Sequence, residues 1–254
     1  MHDLNQQVVL ITGSSSGIGA AAALAFAAQG ARVAIHGHTQ MSGAHAVKSQ
    51  IKAQGGDCEV FQADMSDPAQ IQQLVDAVIK RFGRIDVLIN NAGGFIERCA
   101  LMEANIELID KVFHVNARSM ILMSQHCVAQ MRRQGEGGAI INLSSQSARG
   151  GGSFGAGLYA SCKGYINTFT HALAKELAHD HIRVNAVSPG VILTPIHEKH
   201  TSPELLEQLR MTIPMQRLGQ SDECTGAMLF LASNAMSGYI TGQILEVNGG
   251  SVMP

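Results

Sequence analysis

Two residues near the middle of the chain have types and a spacing that suit acid–base chemistry. Tyr159 and Lys163 are four positions apart in a helical pattern, which places both side chains on one helix face, one turn apart. An ammonium group beside a phenol favours the phenolate and lowers the pKa of the phenol. Lys163 is therefore expected to make Tyr159 usable as an acid or base near neutral pH, which a free tyrosine with a pKa of about 10 is not. The same spacing also fits a half-buried tyrosine beside an extended lysine.

Serine hydroxyls precede this helix at the end of an apolar run. Residues 139–143 predict a strand, and Ser144 and Ser145 follow it directly. A hydroxyl at this point could bind the oxygen of a reacting carbonyl or alcohol. Either serine of the doublet could take this role.

A glycine-rich loop near the start of the chain suits a dinucleotide. Residues 8–11 predict a buried strand and residues 20–29 a helix that ends at Gly30. Between them stand Gly13, Gly17 and Gly19. Glycines let the backbone approach a pyrophosphate, and a helix N-terminus favours its charge. This context favours a dinucleotide-binding loop over a plain tight turn.

Strands and helices alternate along the rest of the chain. We predict further strands at 32–35, 59–62, 85–89, 139–143, 183–187 and 243–247, and helices at 42–54, 68–82, 106–133 and 221–232, besides the Tyr159 helix. Continuously apolar strands with long crossovers predict an α/β fold, one doubly wound parallel sheet with helices on both faces, as a single domain over residues 1–254. Residues 191–218 are expected to be irregular and to serve as a substrate lid.

The composition excludes several classes of protein. With 46% hydrophobic and 15% charged residues, the 254-residue chain is globular. A net charge of -2 without a basic tract argues against nucleic acid as a partner. The five scattered cysteines suit free thiols in a reducing compartment and argue against a structural zinc site. No secretory signal and no apolar run of ~20 residues are visible, which predicts a cytoplasmic protein without a membrane segment.

The motifs resemble, in order and over essentially the whole chain, those of the classical short-chain dehydrogenase/reductase family. The matching pieces are Thr12-Gly13-x-x-x-Gly17-Ile18-Gly19, Asn90-Asn91-Ala92-Gly93, Asn116, Ser145, Tyr159-x-x-x-Lys163, Pro189-Gly190 with Thr194-Pro195, and Tyr239-Ile240-Thr241-Gly242-Gln243. The resemblance implies an NAD(P)-binding Rossmann fold of about seven parallel strands. It also suggests a homotetramer in which the Asn116 and Tyr159 helices pack across one interface.

The resemblance further implies a catalytic tetrad. Tyr159 would be the acid in reduction and the base in oxidation, and Lys163 would lower its pKa and hold the nicotinamide ribose. Ser145 would bind the substrate oxygen, and Asn116 would hold a water that links Lys163 to solvent. Ser145 lies fourteen residues before Tyr159, one more than the family commonly shows, but the glycines at 150–152 can absorb an insertion. Ser145 is therefore the first choice, with Ser144 and Ser147 as alternatives.

The implied cofactor contacts extend over the strand ends. They comprise Gly13, Ser15, Ser16, Gly17, Ile18, Gly19, His38, Asp64, Met65, Asn91, Ala92, Gly93, Tyr159, Lys163, Pro189, Gly190, Ile192 and Thr194. NAD-dependent members usually carry an aspartate where this chain has Gly37, with His36 and His38 beside it and no carboxylate near in sequence. An acid would repel a 2′-phosphate, so we expect NADP(H), with NAD(H) also possible. His36 and His38 could instead be plain polar residues at a strand end.

Three functions fit this pattern. The first is an NAD(P)H-dependent reductase of a ketone, or a secondary-alcohol dehydrogenase in reverse, acting on a small organic substrate, with specificity set by residues 191–218 and around Phe95, Ser153 and Phe154. The second is a 3-oxoacyl-[acyl-carrier-protein] reductase, which Arg132 and Arg133 favour and Asp180 disfavours. The third is a non-catalytic NADP-binding regulator, against which a complete tetrad argues.

Overall fold

The computed structural model describes residues 2–194 and 202–254, and seven parallel strands form its centre. The strands are β1 (Val8–Ile11), β2 (Arg32–Gly37), β3 (Cys58–Gln62), β4 (Val87–Asn90), β5 (Gly138–Leu143), β6 (Ile182–Pro189) and β7 (Ile244–Val247). They lie in the order β3-β2-β1-β4-β5-β6-β7. The chain thus builds the sheet in both directions from β1, and the order reverses between β1 and β4. In open parallel sheets, ligands bind at such a switch point, beyond the carboxyl ends of the strands.

Helices connect the strands on both faces. They are α1 (Gly17–Ala28), α2 (Met41–Ala53), α3 (Pro68–Phe82), α4 (Ile106–Phe113), α5 (Ser119–Gln134), α6 (Ser147–Gly150), α7 (Gly157–Glu176), α8 (Pro203–Thr212), α9 (Thr225–Ala232) and α10 (Asn234–Ser237). Short 3₁₀ segments stand at His2–Leu4, Leu101–Glu103, Ala178–Asp180 and Ser221–Cys224. No helix among the described residues is long and apolar enough to cross a membrane.

Alternate side chains of the strands pack into two hydrophobic cores, one on each face of the sheet. Val9 and Ile11 of β1 pack with Phe26 of α1 on one face, whereas Val8 and Leu10 pack with the α3 and α5 side on the other. Successive side chains of a strand point to opposite faces, so a strand buried on both faces has to be apolar throughout. The predicted doubly wound sheet with helices on both faces is confirmed.

Local signals set several helix boundaries. The Asp67 carboxylate accepts from the backbone N–H groups of Ala69 and Gln70, and Pro68 occupies the first turn of α3, as the sequence predicts. Gly30 follows α1 in the left-handed region with φ +82°.

All five cysteines are free thiols, which also agrees with the prediction.

Two sequence-based boundaries are wrong. Residues 191–218 were expected to be irregular, but α8 lies within them, because the Ser202 hydroxyl caps the Leu205 N–H and a proline opens the helix. The predicted helix 106–133 is divided into α4 and α5 by a π-helical turn at His114–Arg118. Residues 195–201, including the Pro195 of the family motif and part of the expected lid, lie outside the described residues.

Candidate active site

The end of β4 holds the glycine loop in place. The Asn91 amide donates to the carbonyls of Thr12 and Gly13 at 2.8 and 3.0 Å, and the Thr12 hydroxyl accepts from the N–H groups of Asn91 and Ala92. Gly13 has φ +66°, a left-handed conformation that favours glycine. A Cβ on Gly19 would collide with the Gly13 carbonyl. The Asn91 side chain thus supports the loop itself, and Gly19 is needed for close packing beneath it.

A cleft of about 370 Å³ opens at the carboxyl ends of β1 and β4. It collects nearly all of the residues that the sequence assigns to the cofactor: Gly13, Ser15, Ser16, Gly17, Ile18, His38, Asp64, Met65, Asn91, Ala92, Gly93, Tyr159, Lys163, Pro189, Gly190, Ile192 and Thr194. Gly19 lies outside the lining. The cleft is therefore one continuous groove from the end of β2 to the Tyr159 helix.

The cleft also contains residues that the sequence reasoning missed. Thr39 and Gln40 follow His38, Val115 precedes Asn116, and Leu143 ends β5. Thr39 and Gln40 could have been found from their place after a strand end in a parallel sheet. Val115 and Leu143 are apolar residues in apolar segments, and no local signal separates them from the core.

Tyr159 and Lys163 lie one turn apart on α7, as expected. The Lys163 Nζ lies 5.5 Å from the centre of the Tyr159 ring and donates to the Leu143 carbonyl at the end of β5. Lys163 is almost fully buried. Both side chains line the cleft.

Burial controls the pKa values of this pair. It raises the pKa of Tyr159 to about 12, although a hydrogen bond with Ser145 lowers it, and it lowers the pKa of Lys163 to about 8. The predicted lowering of the tyrosine pKa by Lys163 is therefore wrong for this arrangement. The ammonium group is turned to the Leu143 carbonyl, and loss of solvation outweighs its attraction for a phenolate.

The three serines after β5 have different surroundings. The Ser145 side chain lies close enough to the Tyr159 hydroxyl to lower its pKa, and its hydroxyl accepts from the Ser147 N–H at 3.1 Å. The Ser144 hydroxyl points to the backbone of α7, where it donates to the Lys163 carbonyl at 3.4 Å. Ser147 lies outside the cleft lining. Of the three, Ser145 is the one beside the tyrosine hydroxyl.

Asn116 lies on the π-helical turn behind the cleft. It is 1% exposed, its Oδ1 accepts from the Gly94 N–H at 2.8 Å, and its Nδ2 donates to the carbonyls of Gly94 and Val112. A Cβ on Gly93 would lie 2.7 Å from the Asn116 Oδ1 and 3.8 Å from the Lys163 Nζ. Asn116 and Lys163 thus approach each other across Gly93, and the asparagine fixes the loop after β4.

An aromatic wall covers the tyrosine at the mouth of the cleft. The ring centres of Phe95 and Tyr159 are 4.2 Å apart, and the Arg98 guanidinium lies 4.6 Å from the centre of the Phe95 ring. Arg98 also donates to the Ser153 hydroxyl and the Phe154 carbonyl. The loops that follow β4 and β5 are therefore tied together next to the reacting hydroxyl.

A carboxylate approaches the end of β2 in space. The His38 Nε2 lies 3.8 Å from the Asp64 Oδ2, and the His38 side chain is half exposed. The sequence predicts no carboxylate near His38, and this prediction is wrong. Asp64 is 26 positions away along the chain, but the folded chain brings its carboxylate close to the His38 ring. β2 and β3 are neighbours in the sheet, so their carboxyl ends bring His38 and Asp64 together.

Comparison with known proteins decides the family. A family model described as enoyl-(acyl carrier protein) reductase matches residues 13–252. A 3-oxoacyl-[acyl-carrier-protein] reductase of Synechocystis sp. is 36% identical over 253 residues, with all of both chains covered. The chain belongs to the classical short-chain dehydrogenase/reductase family. The NADPH-dependent aldehyde reductase 1 of Arabidopsis thaliana is 36% identical, covering 99% of this chain and 88% of its own.

Solved structures of short-chain dehydrogenase/reductases have the same fold. The crystal structure of the NADH-dependent reductase A1-R′, responsible for alginate metabolism, superposes with a TM-score of 0.91 at 38% identity, and both chains are covered completely. This short-chain dehydrogenase/reductase is accordingly an NAD(P)-dependent oxidoreductase that acts on carbonyl or alcohol groups.

Proposed function

We propose that the protein is a carbonyl reductase that transfers hydride from NADPH to a ketone of a small organic substrate. The observation that supports this most is the position of Tyr159, which lies beside Ser145 and one helical turn from Lys163 in the same cleft as the dinucleotide loop. In the reverse direction the same groups oxidise a secondary alcohol. A bound nicotinamide supplies or accepts the hydride, and the protein handles the proton and the oxygen.

The proposed proton transfer begins at Tyr159. Ser145 and Tyr159 both donate to the carbonyl oxygen, and Tyr159 gives its proton to that oxygen as the hydride reaches the carbon. The products are an alcohol and a tyrosinate. The pKa of Tyr159, raised to about 12, keeps the phenol protonated at neutral pH, which suits the direction of reduction.

Lys163 is proposed to restore the phenol. Burial lowers its pKa to about 8, so at neutral pH it is charged and can lose a proton to a nearby tyrosinate, a much stronger base. Asn116, across Gly93, is proposed to hold the water that returns a proton to Lys163. Its buried amide already fixes the Gly94 backbone, which keeps that part of the loop rigid.

We assign the choice of cofactor to His38. Gly37 places no carboxylate on the strand end itself, and a half-exposed imidazole can donate to a 2′-phosphate. Asp64, whose Oδ2 lies 3.8 Å from the His38 Nε2, also lines the cleft and keeps a carboxylate beside that imidazole. Among the relatives, A1-R′ is NADH-dependent and the Arabidopsis enzyme NADPH-dependent, so we propose NADPH as preferred and NADH as accepted.

Two opposite substitutions test this assignment. His38→Arg should tighten NADPH relative to NADH, and His38→Asp should reverse the preference, because a carboxylate repels the 2′-phosphate. Fluorescence titration of both cofactors gives the two dissociation constants for each variant. An unchanged ratio in both variants would place the 2′-phosphate elsewhere.

A second candidate is reduction of 3-oxoacyl groups on a carrier protein, which the Synechocystis relative favours. Docking of an acidic carrier needs free basic groups on the surface. Arg132 is instead bound by Asp180, with Nε–Oδ2 and Nη2–Oδ2 distances of 2.9 and 2.8 Å. The Arg132–Asp180 pair has little net charge to attract an acidic carrier protein. We therefore propose that the preferred substrate is not an acyl group attached to a carrier protein. A kcat/KM far higher for the acyl carrier than for its short thioester analogue would reverse this choice.

The substrate is proposed to enter beside Phe95 under residues 191–218 as a lid. Ile192 and Thr194 of this segment line the cleft, and Phe95 covers the tyrosine ring. NADPH oxidation on a panel of ketones of graded size tests the function, with Tyr159→Phe as the inactive control. Turnover of small ketones is expected. Tight NADPH binding without turnover of any ketone or aldehyde would instead favour a non-catalytic regulator.

A further inference from the structure

A buried histidine connects the dinucleotide loop with the ends of two strands. His36, the residue before Gly37 on β2, is 2% exposed. Its Nδ1 accepts from the Gly13 N–H at 2.8 Å, and its Nε2 lies 3.0 Å from the Ala63 carbonyl oxygen beyond β3. A carbonyl can only accept, so Nε2 carries the hydrogen and Nδ1 is the bare acceptor. Both contacts are made at once only by the neutral imidazole with its hydrogen on Nε2.

The backbone of the same residue holds the next position of the loop. The His36 N–H donates to the Ser14 hydroxyl at 2.8 Å, and the His36 carbonyl accepts from the Ser14 N–H at 2.9 Å. Gly13 and Ser14 are therefore bound to His36 by three hydrogen bonds. They lead the chain from β1 into the loop that lines the cofactor cleft.

We propose that neutral His36 is a positioning residue for the dinucleotide loop, and that its protonation releases Gly13 and weakens the binding of the nicotinamide cofactor. A proton on Nδ1 would point at the Gly13 N–H, so that two donors would face each other and the hydrogen bond would be lost. The buried Nδ1–H of the cation would also lack an acceptor, which is costly. The inference concerns cofactor binding alone and does not depend on the substrate.

The charged groups around His36 set the direction of the effect. The loop from 12 to 17 contains no ionisable side chain. Burial has the largest effect on the pKa of His36 and lowers it below its ordinary 6.5. The positive charge of His38 also lowers this pKa, whereas the hydrogen bond with Ala63 and the carboxylate of Asp64 raise it. The net change is a lowering of the pKa. In the window below pH 6.5 the folded protein binds fewer protons than the unfolded chain. Both folding stability and the ordered loop are therefore lost as pH falls through the lowered pKa, and are fully present above 6.5.

The deciding experiment is a fluorescence titration of NADH from pH 8 down to the lowest pH at which the protein stays folded, because burial lowers the pKa of His36 below that of a free histidine. NADH lacks the 2′-phosphate, so a change of charge on His38 has no phosphate to act on. Without substrate, the result is also independent of the proposed reductase activity. For the wild type we expect the dissociation constant to rise, by on the order of tenfold per pH unit, once the pH is below the pKa of His36. Thermal unfolding at each pH verifies that the protein is folded.

Two variants separate positioning from a merely structural role. His36→Asn keeps an acceptor at the place of Nδ1 but cannot titrate, so it should bind NADH within about threefold of the wild type at pH 8, with no pH dependence. His36→Leu has no acceptor and should bind weakly at every pH. His45→Asn, at an exposed position of α2, is the matched control and should keep the wild-type profile.

Two outcomes would overturn the proposal. One is a wild-type dissociation constant that does not change down to the lowest pH at which the protein stays folded. The other is a His36→Asn variant that keeps the wild-type pH dependence, since the titrating group would then be another residue. The comparison of the wild type with His36→Asn decides the question even where His36→Leu does not fold.

Discussion

At the scale of single residues, the opposite pKa shifts of Tyr159 and Lys163 have one cause. Burial removes water from both side chains and disfavours the charged form of each. The phenol is therefore neutral at neutral pH, and Lys163 is close to losing its proton. In the proposed mechanism this makes the tyrosine a proton donor and the lysine its source of a replacement proton.

Tyr159→Phe tests the proton donor. The change removes one hydroxyl and keeps the ring against Phe95, so we expect the fold and NADPH binding to persist and turnover to be lost. Steady-state NADPH oxidation and a thermal unfolding curve measure the two effects. Tyr239→Phe, at a fully exposed tyrosine, should behave as the wild type. Retention of more than a small fraction of the activity in Tyr159→Phe would rule out this residue as the acid.

Alanine substitutions distinguish the three serines. Ser145→Ala removes a donor to the developing oxyanion. We expect the activation barrier to rise by about 3 kcal/mol and kcat to fall on the order of a hundredfold. Ser144→Ala removes only a bond to the α7 backbone, and Ser147→Ala removes a hydroxyl outside the cleft, so both should have far smaller effects. A loss at Ser147 as large as that at Ser145 would show that Ser145 is not the residue that holds the substrate oxygen.

At the scale of elements, the site depends on how the loop after β4 meets the π-helical turn at His114–Arg118. A π-turn contains an extra residue relative to an α-helix and is frequent at functional sites. Here it carries Asn116, whose amide binds both polar groups of the Gly94 backbone. The close approach of the loop to Asn116 and Lys163 is possible because residue 93 has no side chain.

Gly93→Ala is expected to separate Asn116 from Lys163. The new Cβ would lie 2.7 Å from the Asn116 Oδ1, and Gly93 has φ +150°, which side-chain-bearing residues rarely adopt. The loop must therefore shift. We expect kcat to fall at least about tenfold, which corresponds to an activation barrier higher by ~1.4 kcal/mol. Gly135→Ala is the control, since it also replaces a left-handed glycine but meets open space. It should cost about 1 kcal/mol of stability without changing kcat. Equal kcat values for the two variants would contradict the role of the Gly93 approach.

At the scale of the whole molecule, α4 and α7 expose an apolar patch. On α4, Ile106 is 68% exposed, Ile109 38% and Phe113 40%, and on α7 Tyr165 is 38% exposed. Tyr165 packs edge-on against Phe113 and stacks on Phe169, so the patch continues from one helix to the other. We propose that this apolar surface is an interaction site, because it lies on the helices through which the resemblance implies a homotetramer.

We expect the wild type to be a tetramer and the double variant Ile109→Glu/Phe113→Glu to form smaller species. Two buried carboxylates without partners would destabilise the interface, and size-exclusion chromatography with light scattering measures the mass. Ala53→Glu, at an exposed site on α2, should remain tetrameric. A monomeric wild type, or a double variant with unchanged mass, would show that this patch is not an interface.

The sequence by itself determined the alternation of strands and helices and most of the residues around the cleft. Strands buried on both faces must be apolar along their whole length, so their positions can be found from local composition. Glycines at Gly13, Gly17 and Gly93 mark places where the chain turns or approaches another group closely. Since the carboxyl ends of parallel strands share one edge, the motifs at these ends could be expected to meet there.

Only the tertiary structure decided what the individual polar groups do. Which serine faces Tyr159, the distance between His38 and Asp64, and the link from His36 to Gly13 depend on segments far apart in the chain. The direction of the pKa shifts of Tyr159 and Lys163 depends on burial, which a spacing of four residues does not reveal. Hydrogen bonding and loss of solvation arise from the packed surroundings of a residue, and those exist only after the strands and helices have come together.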